Sequence, residues 1–144
     1  MNGASGAALV AAARALVGTP FRLHGRDAAH GLDCVGLVRA ALHAVGHKLP
    51  VDDARYPIRG WSRDRAEATL NRAGLMAVTG PAVAGDILLG AAPNGQLHLM
   101  IATDGGCIHA HLGLGRVVEQ PGAAPMPVVS RWRIKKYRED LWQR

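Results

Sequence analysis

The sequence predicts an α+β protein, in which helices from the first half of the chain pack on an antiparallel sheet formed by the second half. Apolar residues recur at helical spacing as far as about residue 72. From Gly85 onward, short apolar runs alternate with turn signals such as Asp104-Gly105-Gly106, which are typical of strands joined by hairpins. The 144 residues suit one domain, predicted at 1–144, with a basic C-terminal strand or tail at about 128–144.

Three helices are predicted, each preceded by a side chain whose oxygen can cap the first turn. They extend over about 6–17, 34–45 and 63–72, with Ser5, Asp33 and Ser62 as the caps. The glycines at 18, 46 and 74 are expected to end them. Between the first two helices, glycine and proline indicate a loop over 19–31.

Five strands are predicted in the second half from short apolar runs bounded by turn residues. They extend over about 87–89, 97–103, 107–112, 116–119 and 128–137. Because the intervening turns are short, consecutive strands are expected to pair antiparallel.

Composition excludes several classes of protein. Hydrophobic residues make up 49% and charged residues 19%, which is unlike a disordered chain. The net charge is +6, but residues 131–144 contain six basic and two acidic side chains, so they account for +4 of it. The remaining +2 forms no basic stripe, so we expect no nucleic-acid partner.

No apolar stretch is long enough to span a membrane, and two cysteines make no disulfide framework. Residues 4–17 are apolar, but Arg14 interrupts them and no small-residue cleavage site follows. We therefore expect no signal peptide and synthesis in the cytoplasm.

Cys34 is the first candidate for chemistry. It lies at the start of a helix that Asp33 can cap, and a helix N-terminus lowers the pKa of a thiol and favours the nucleophilic thiolate. Gly36 would allow this helix to pack closely on a neighbouring strand. The alternative is a buried, inert cysteine, which is the usual state of a free thiol.

A cysteine nucleophile needs a base, and the chain has seven histidines. His98 and His109 lie on adjacent predicted strands of one hairpin, where they can sit side by side. His109 and His111 are two residues apart and point to the same face. Cys107, His109 and His111 also raise the alternative of zinc, but the spacing is unlike that of most zinc sites. We expect no metal and no cofactor.

These residues resemble a known family. Gly18-Thr19-Pro20-Phe21 and the segment from Gly31 to Val38 resemble the nucleophile region of NlpC-type cell-wall cysteine peptidases. The blocks 85–88, 98–101 and 107–110 resemble that family's later blocks in the same order, so the similarity covers about residues 5–120.

The resemblance implies a papain-like α+β fold with Cys34 as nucleophile, His98 as general base and His109 as the residue that orients His98. The reaction would be hydrolysis of the peptidoglycan stem peptide, often between D-glutamate and diaminopimelate. Substrate contacts are expected from five further residues, namely Phe21, His24, Asp33, Val35 and His111. The sequence departs from the family in having Val35 where serine is commoner and no tyrosine over 21–24.

The compact chain looks most similar to the phage-tail or gene-transfer-agent branch of this family. Its partners would then be peptidoglycan and phage-like tail proteins, and it would act in the periplasm from a particle. Two alternatives stay open, an amidase or acyltransferase of the same fold and a non-catalytic tail adaptor. A Cys34 that alkylates only above about pH 8.5, the free thiol value, would favour the adaptor.

Overall fold

The computed structural model describes residues 2–49 and 62–135 and confirms the predicted α+β class. Within these two ranges, three helices and eight strands follow one another. They are α1 (Asn2–Arg14), β1 (Arg26–Asp27), β2 (Gly31–Leu32), α2 (Cys34–Ala44), α3 (Arg63–Arg72), β3 (Leu75–Val78), β4 (Ile87–Ala91), β5 (Leu97–Thr103), β6 (Gly106–His111), β7 (Arg116–Pro121) and β8 (Val128–Ile134).

Six strands form one antiparallel sheet in the order β3-β8-β4-β5-β6-β7. The strands β4 to β7 follow the hairpin order that the sequence predicts. The last strand, β8, returns to lie between β3 and β4. The short strands β1 and β2 form a separate antiparallel pair immediately before α2. The sequence analysis missed β1, β2 and β3.

The main core lies between the helices and one face of the sheet. Because side chains alternate along β5, Leu97, Leu99 and Ile101 point into this core. They pack there with Leu37 of α2. The intervening residues of β5 point to the opposite face, where Met100 and Ala102 form a smaller buried cluster. The helices therefore cover one face of the sheet, while His98 belongs by alternation to the other.

The helix α2 begins as the sequence predicts. The Asp33 side chain accepts a hydrogen bond of 2.8 Å from the backbone N–H of Gly36, which caps the first turn. A Cβ atom at Gly36 would collide with the backbone carbonyl of Gly25. Glycine is therefore needed for the predicted close approach, and the neighbour is the loop residue before β1.

Some predicted boundaries differ from the structure. The helix α1 begins at Asn2 and ends at Arg14, so Ser5 lies within it instead of preceding it. The strand β8 ends at Ile134, and the remainder of the predicted basic tail from residue 136 lies outside the described residues. None of the helices described is long and apolar enough to cross a membrane. The single domain over 1–144 stays a prediction.

Candidate active site

Cys34 is the first residue of α2 and is 5% exposed. Burial raises the pKa of its thiol to about 11, against hydrogen bonds from the backbone N–H groups of Leu99 and Val35, which lower it. The lowered pKa predicted from the helix terminus is therefore wrong. The loss of hydration outweighs these two hydrogen bonds, so the thiol of the free protein is protonated at neutral pH.

An interruption in the sheet places the helix terminus against β5. Register between β5 and β6 runs only from Ile101 to Thr103, whereas β4 pairs with β5 from Leu97 to Ile101. The first residues of β5 are therefore paired with β4 but lie outside the register with β6. In this part of β5, the backbone N–H of Leu99 donates a hydrogen bond to the sulfur of Cys34. His98 is the residue immediately before that contact.

His98 begins a chain of hydrogen bonds across three strands. Its Nε2 atom lies 3.1 Å from Nδ1 of His109, and the two rings are nearly perpendicular. The Nε2 atom of His109 lies 3.0 Å from Oε1 of Gln120 on β7. Burial, followed by the neighbouring histidines, lowers the pKa of His98 to about 4. His98 is therefore neutral at pH 7 and able to accept a proton.

His109 is 3% exposed, and burial lowers its pKa while the bond to Gln120 opposes this shift. His111 lies beside it, with ring centroids 5.4 Å apart. The Nδ1 atom of His111 accepts a hydrogen bond from the backbone N–H of Leu114, which holds the turn between β6 and β7. The structure therefore joins His109, and not His111, to His98 by a hydrogen bond.

Asp33, predicted to contact substrate, is fully buried. Its carboxylate accepts hydrogen bonds from the His24 N–H at 2.8 Å, the Gly36 N–H at 2.8 Å and the Arg26 guanidinium at 2.9 Å. The side chain is used to cap α2 and to hold the preceding loop, so it does not lie on a surface that a substrate could reach.

The other residues predicted to contact substrate differ in how exposed they are. Phe21 and Val35 are partly buried and pack against the main core. His24 is exposed and has a positive φ of 60°, in the loop that Asp33 holds. The His24 ring is therefore the most accessible of the five predicted side chains.

The alternative of a metal site gains no support from the described residues, among which no three His, Cys, Asp or Glu side chains are grouped to hold an ion. Cys107 is 1% exposed and packs with Leu88, Met100 and Ala102 in the smaller cluster. It behaves as a small apolar residue of the sheet.

Gln120 is the site residue that the sequence analysis missed. His109 pairs with Val118 in the β6–β7 register, and Gln120 lies two residues further along the same face. The signal in the sequence was a polar residue directly after the strand predicted over 116–119, because the observed strand continues to Pro121. It becomes informative only when the register places it beside a histidine.

No family model matches the sequence, and no curated protein matches it. Among solved structures, the NlpC/p60 domain of the peptidoglycan hydrolase SagA is 31% identical, covers 81% of this chain and 88% of its own, and has a TM-score of 0.53.

Two mycobacterial structures are also similar. The P60 domain of an antigen from M. avium subspecies paratuberculosis is 20% identical, with 92% of this chain and 96% of that one covered and a TM-score of 0.61. The peptidoglycan hydrolase RipB from Mycobacterium tuberculosis is 23% identical, with 94% and 67% covered and a TM-score of 0.63. At these identities the two structures bear on the fold alone.

Proposed function

This chain belongs to the NlpC/p60 family, and we propose that it hydrolyses an amide bond of peptidoglycan as a cysteine peptidase. Cys34 is the nucleophile, His98 the general base and His109 the residue that orients His98. The observation that supports this most directly is the hydrogen bond between His98 and His109 on the strand that contacts the Cys34 sulfur. A related domain, that of SagA, comes from a peptidoglycan hydrolase.

In the first step, the Cys34 sulfur attacks the carbonyl carbon of the substrate amide while its proton passes to His98. A neutral His98 can accept this proton, and the resulting imidazolium keeps its hydrogen bond to His109. The carbonyl oxygen becomes an oxyanion. The backbone N–H group of Cys34, which precedes the first helical hydrogen bond of α2, is the donor proposed to stabilise it.

In the second step, the tetrahedral intermediate breaks its C–N bond, and His98 gives its proton to the leaving amine. A thioester on Cys34 remains. Water then attacks the thioester with His98 again acting as base, which releases a carboxylate and restores the thiol. Each proton moves through His98, so its orientation by His109 affects both halves of the reaction.

The bond proposed is that between D-glutamate and diaminopimelate in the stem peptide. Phe21, His24, Val35 and His111 are proposed to line the route to Cys34. Asp33 would contribute indirectly, because its carboxylate holds the backbone of His24 beside the site.

The test is mass spectrometry of the muropeptides released from purified Gram-negative sacculi. The parent protein should release fragments whose masses identify the cleaved bond, and Cys34→Ala should release none while keeping its circular dichroism spectrum. Cys107→Ala, which removes the other buried thiol, is the matched control and should remain active. Equal release by Cys34→Ala would reject the cysteine mechanism. Turnover of another amide, with no sacculus fragments, would favour an amidase or acyltransferase.

We further propose that a phage tail or gene-transfer-agent particle carries the domain to the periplasm, where it opens the wall locally. The basic residues over 131–144 would bind a tail protein. Immunodetection of the chain in purified particles, and its loss when the basic residues after 135 are neutralised, would support this. Recovery of the chain only in particle-free fractions would contradict it.

One observation favours a second candidate, a non-catalytic tail adaptor. The Cys34 thiol is buried and its pKa is raised, so the resting protein lacks a preformed thiolate. A neutral thiol can still pass its proton to a neutral imidazole during attack. The sacculus assay therefore separates the two functions.

A further inference from the structure

We propose that Gln120 is a positioning residue that sets the tautomers of His109 and His98, so that Nδ1 of His98 is free to take the Cys34 proton. The effect of these tautomers on catalysis rests on the proposed function. The tautomers themselves can be measured in the free protein without any substrate.

The first step concerns Gln120 and His109. The Gln120 Oε1 atom is a carbonyl oxygen and can only accept, so His109 Nε2, 3.0 Å away, carries the hydrogen. A neutral imidazole has one N–H. Because burial favours the neutral form of His109, its Nδ1 atom is left as an acceptor.

The second step concerns His109 and His98. Since Nδ1 of His109 accepts, Nε2 of His98, 3.1 Å away, must donate. The neutral His98 ring then has an unprotonated Nδ1 atom. If the Gln120 amide were reversed, each donor would become an acceptor, and His98 Nδ1 would already carry a hydrogen when the thiol needs to lose its own.

The third step concerns how Gln120 is held. The β6–β7 register places it on the same sheet face as His109. The adjacent Glu119 points to the opposite face, where its carboxylate is bound by Arg14 at 2.9 and 3.0 Å. Strand alternation alone therefore directs the Glu119 carboxylate away from the imidazoles, and the neutral acceptor Gln120 faces His109.

The direct test is NMR of the full-length chain labelled with 15N-histidine, in which ring nitrogen shifts report which nitrogen carries hydrogen. Signals are assigned with His98→Gln and His109→Gln. At pH 7 both rings of the parent should be Nε2–H tautomers, and Gln120→Leu should give mixed tautomers at both. An Nδ1–H tautomer at His98 in the parent, or unchanged tautomers in folded Gln120→Leu, would overturn the proposal.

Kinetics provide the second readout. Gln120→Leu removes one hydrogen bond and should lower kcat about tenfold with KM unchanged. Gln120→Glu keeps an acceptor and should restore kcat to within about threefold of the parent. Glu119→Gln, on the same strand but the other face, is the control and should not change kcat.

The two hypotheses fail in different ways. A parent with the expected tautomers but no peptidase activity would support the positioning of the rings and reject the proposed function. An active parent whose kcat is unchanged by Gln120→Leu would support the function and reject the role of Gln120.

Discussion

The Nε2 atom of His98 lies 3.1 Å from the Nδ1 atom of His109, with the two rings at 89° to each other. His111, on the same face as His109, instead accepts a hydrogen bond from the backbone of Leu114. The two histidines that the sequence cannot distinguish therefore have different partners. This difference leads to the first of four predictions.

Replacing His109 should reduce the rate far more than replacing His111. His109→Ala removes the hydrogen-bond partner that is proposed to orient His98, so we expect kcat to fall about 100-fold or more. His111→Ala should raise KM while largely keeping kcat, because His111 is proposed to line the substrate route. Steady-state kinetics on a defined stem peptide measure both values. Equal losses of kcat in the two variants would contradict the assignment.

Alkylation of Cys34 should be slow at neutral pH in the free protein. Burial raises the pKa of the thiol to about 11, so the thiolate becomes the major form only above that pH. In urea the same thiol should react with the ordinary pKa of about 8.5. The rate with iodoacetamide is measured against pH in a Cys107→Ala background. Rapid reaction at pH 7 in the folded protein would show a preformed thiolate and contradict this prediction.

Asp33 should contribute more to stability than an exposed helix cap. Asp33→Ala removes a capping bond and leaves the partly buried Arg26 guanidinium without this carboxylate, so we expect a loss of about 3 kcal/mol in the free energy of unfolding. Ser62→Ala removes only the cap of α3 and should cost about 1 kcal/mol.

Urea unfolding at pH 7 measures both losses. Asp33→Asn keeps the hydrogen-bond acceptor but not the charge. Its loss in the free energy of unfolding should lie between those of Ser62→Ala and Asp33→Ala. A loss in Asp33→Ala no larger than that in Ser62→Ala would show that the Arg26 contact adds nothing.

Gly36→Ala should destabilise the protein although alanine is the better helix former. Helix propensity favours alanine by about 1 kcal/mol, but its Cβ would collide with the Gly25 carbonyl, and such overpacking costs about 1–3 kcal/mol. The first turn of α2 would shift, and Cys34 with it. We expect a net loss of stability on urea unfolding and lower peptidase activity.

Ala40→Gly in the same helix measures the propensity contribution alone and should cost about 1 kcal/mol. If Gly36→Ala were more stable than the parent, propensity would dominate, and the close approach of α2 to Gly25 would be unimportant.

Elements with strong local signals were predicted with accurate boundaries. The helix α3 and the strand β5 have the bounds expected from the sequence, because a cap precedes the helix and turn residues flank the apolar strand. The strand β3 was missed because it is held by pairing with the distant β8. The strands β1 and β2 have two residues each, too few for any periodicity to show.

The sequence by itself determined the α+β class, the capped helix that begins at Cys34 and the hairpin that brings His98 near His109, since these follow from short-range patterns of capping, alternation and turns. Only the tertiary structure decided that Gln120 lies within hydrogen-bond distance of His109, that Asp33 is buried and that the pKa of Cys34 is raised. Strand register and burial produce these properties. Both depend on segments far apart in the chain, so a local pattern contains no information about them.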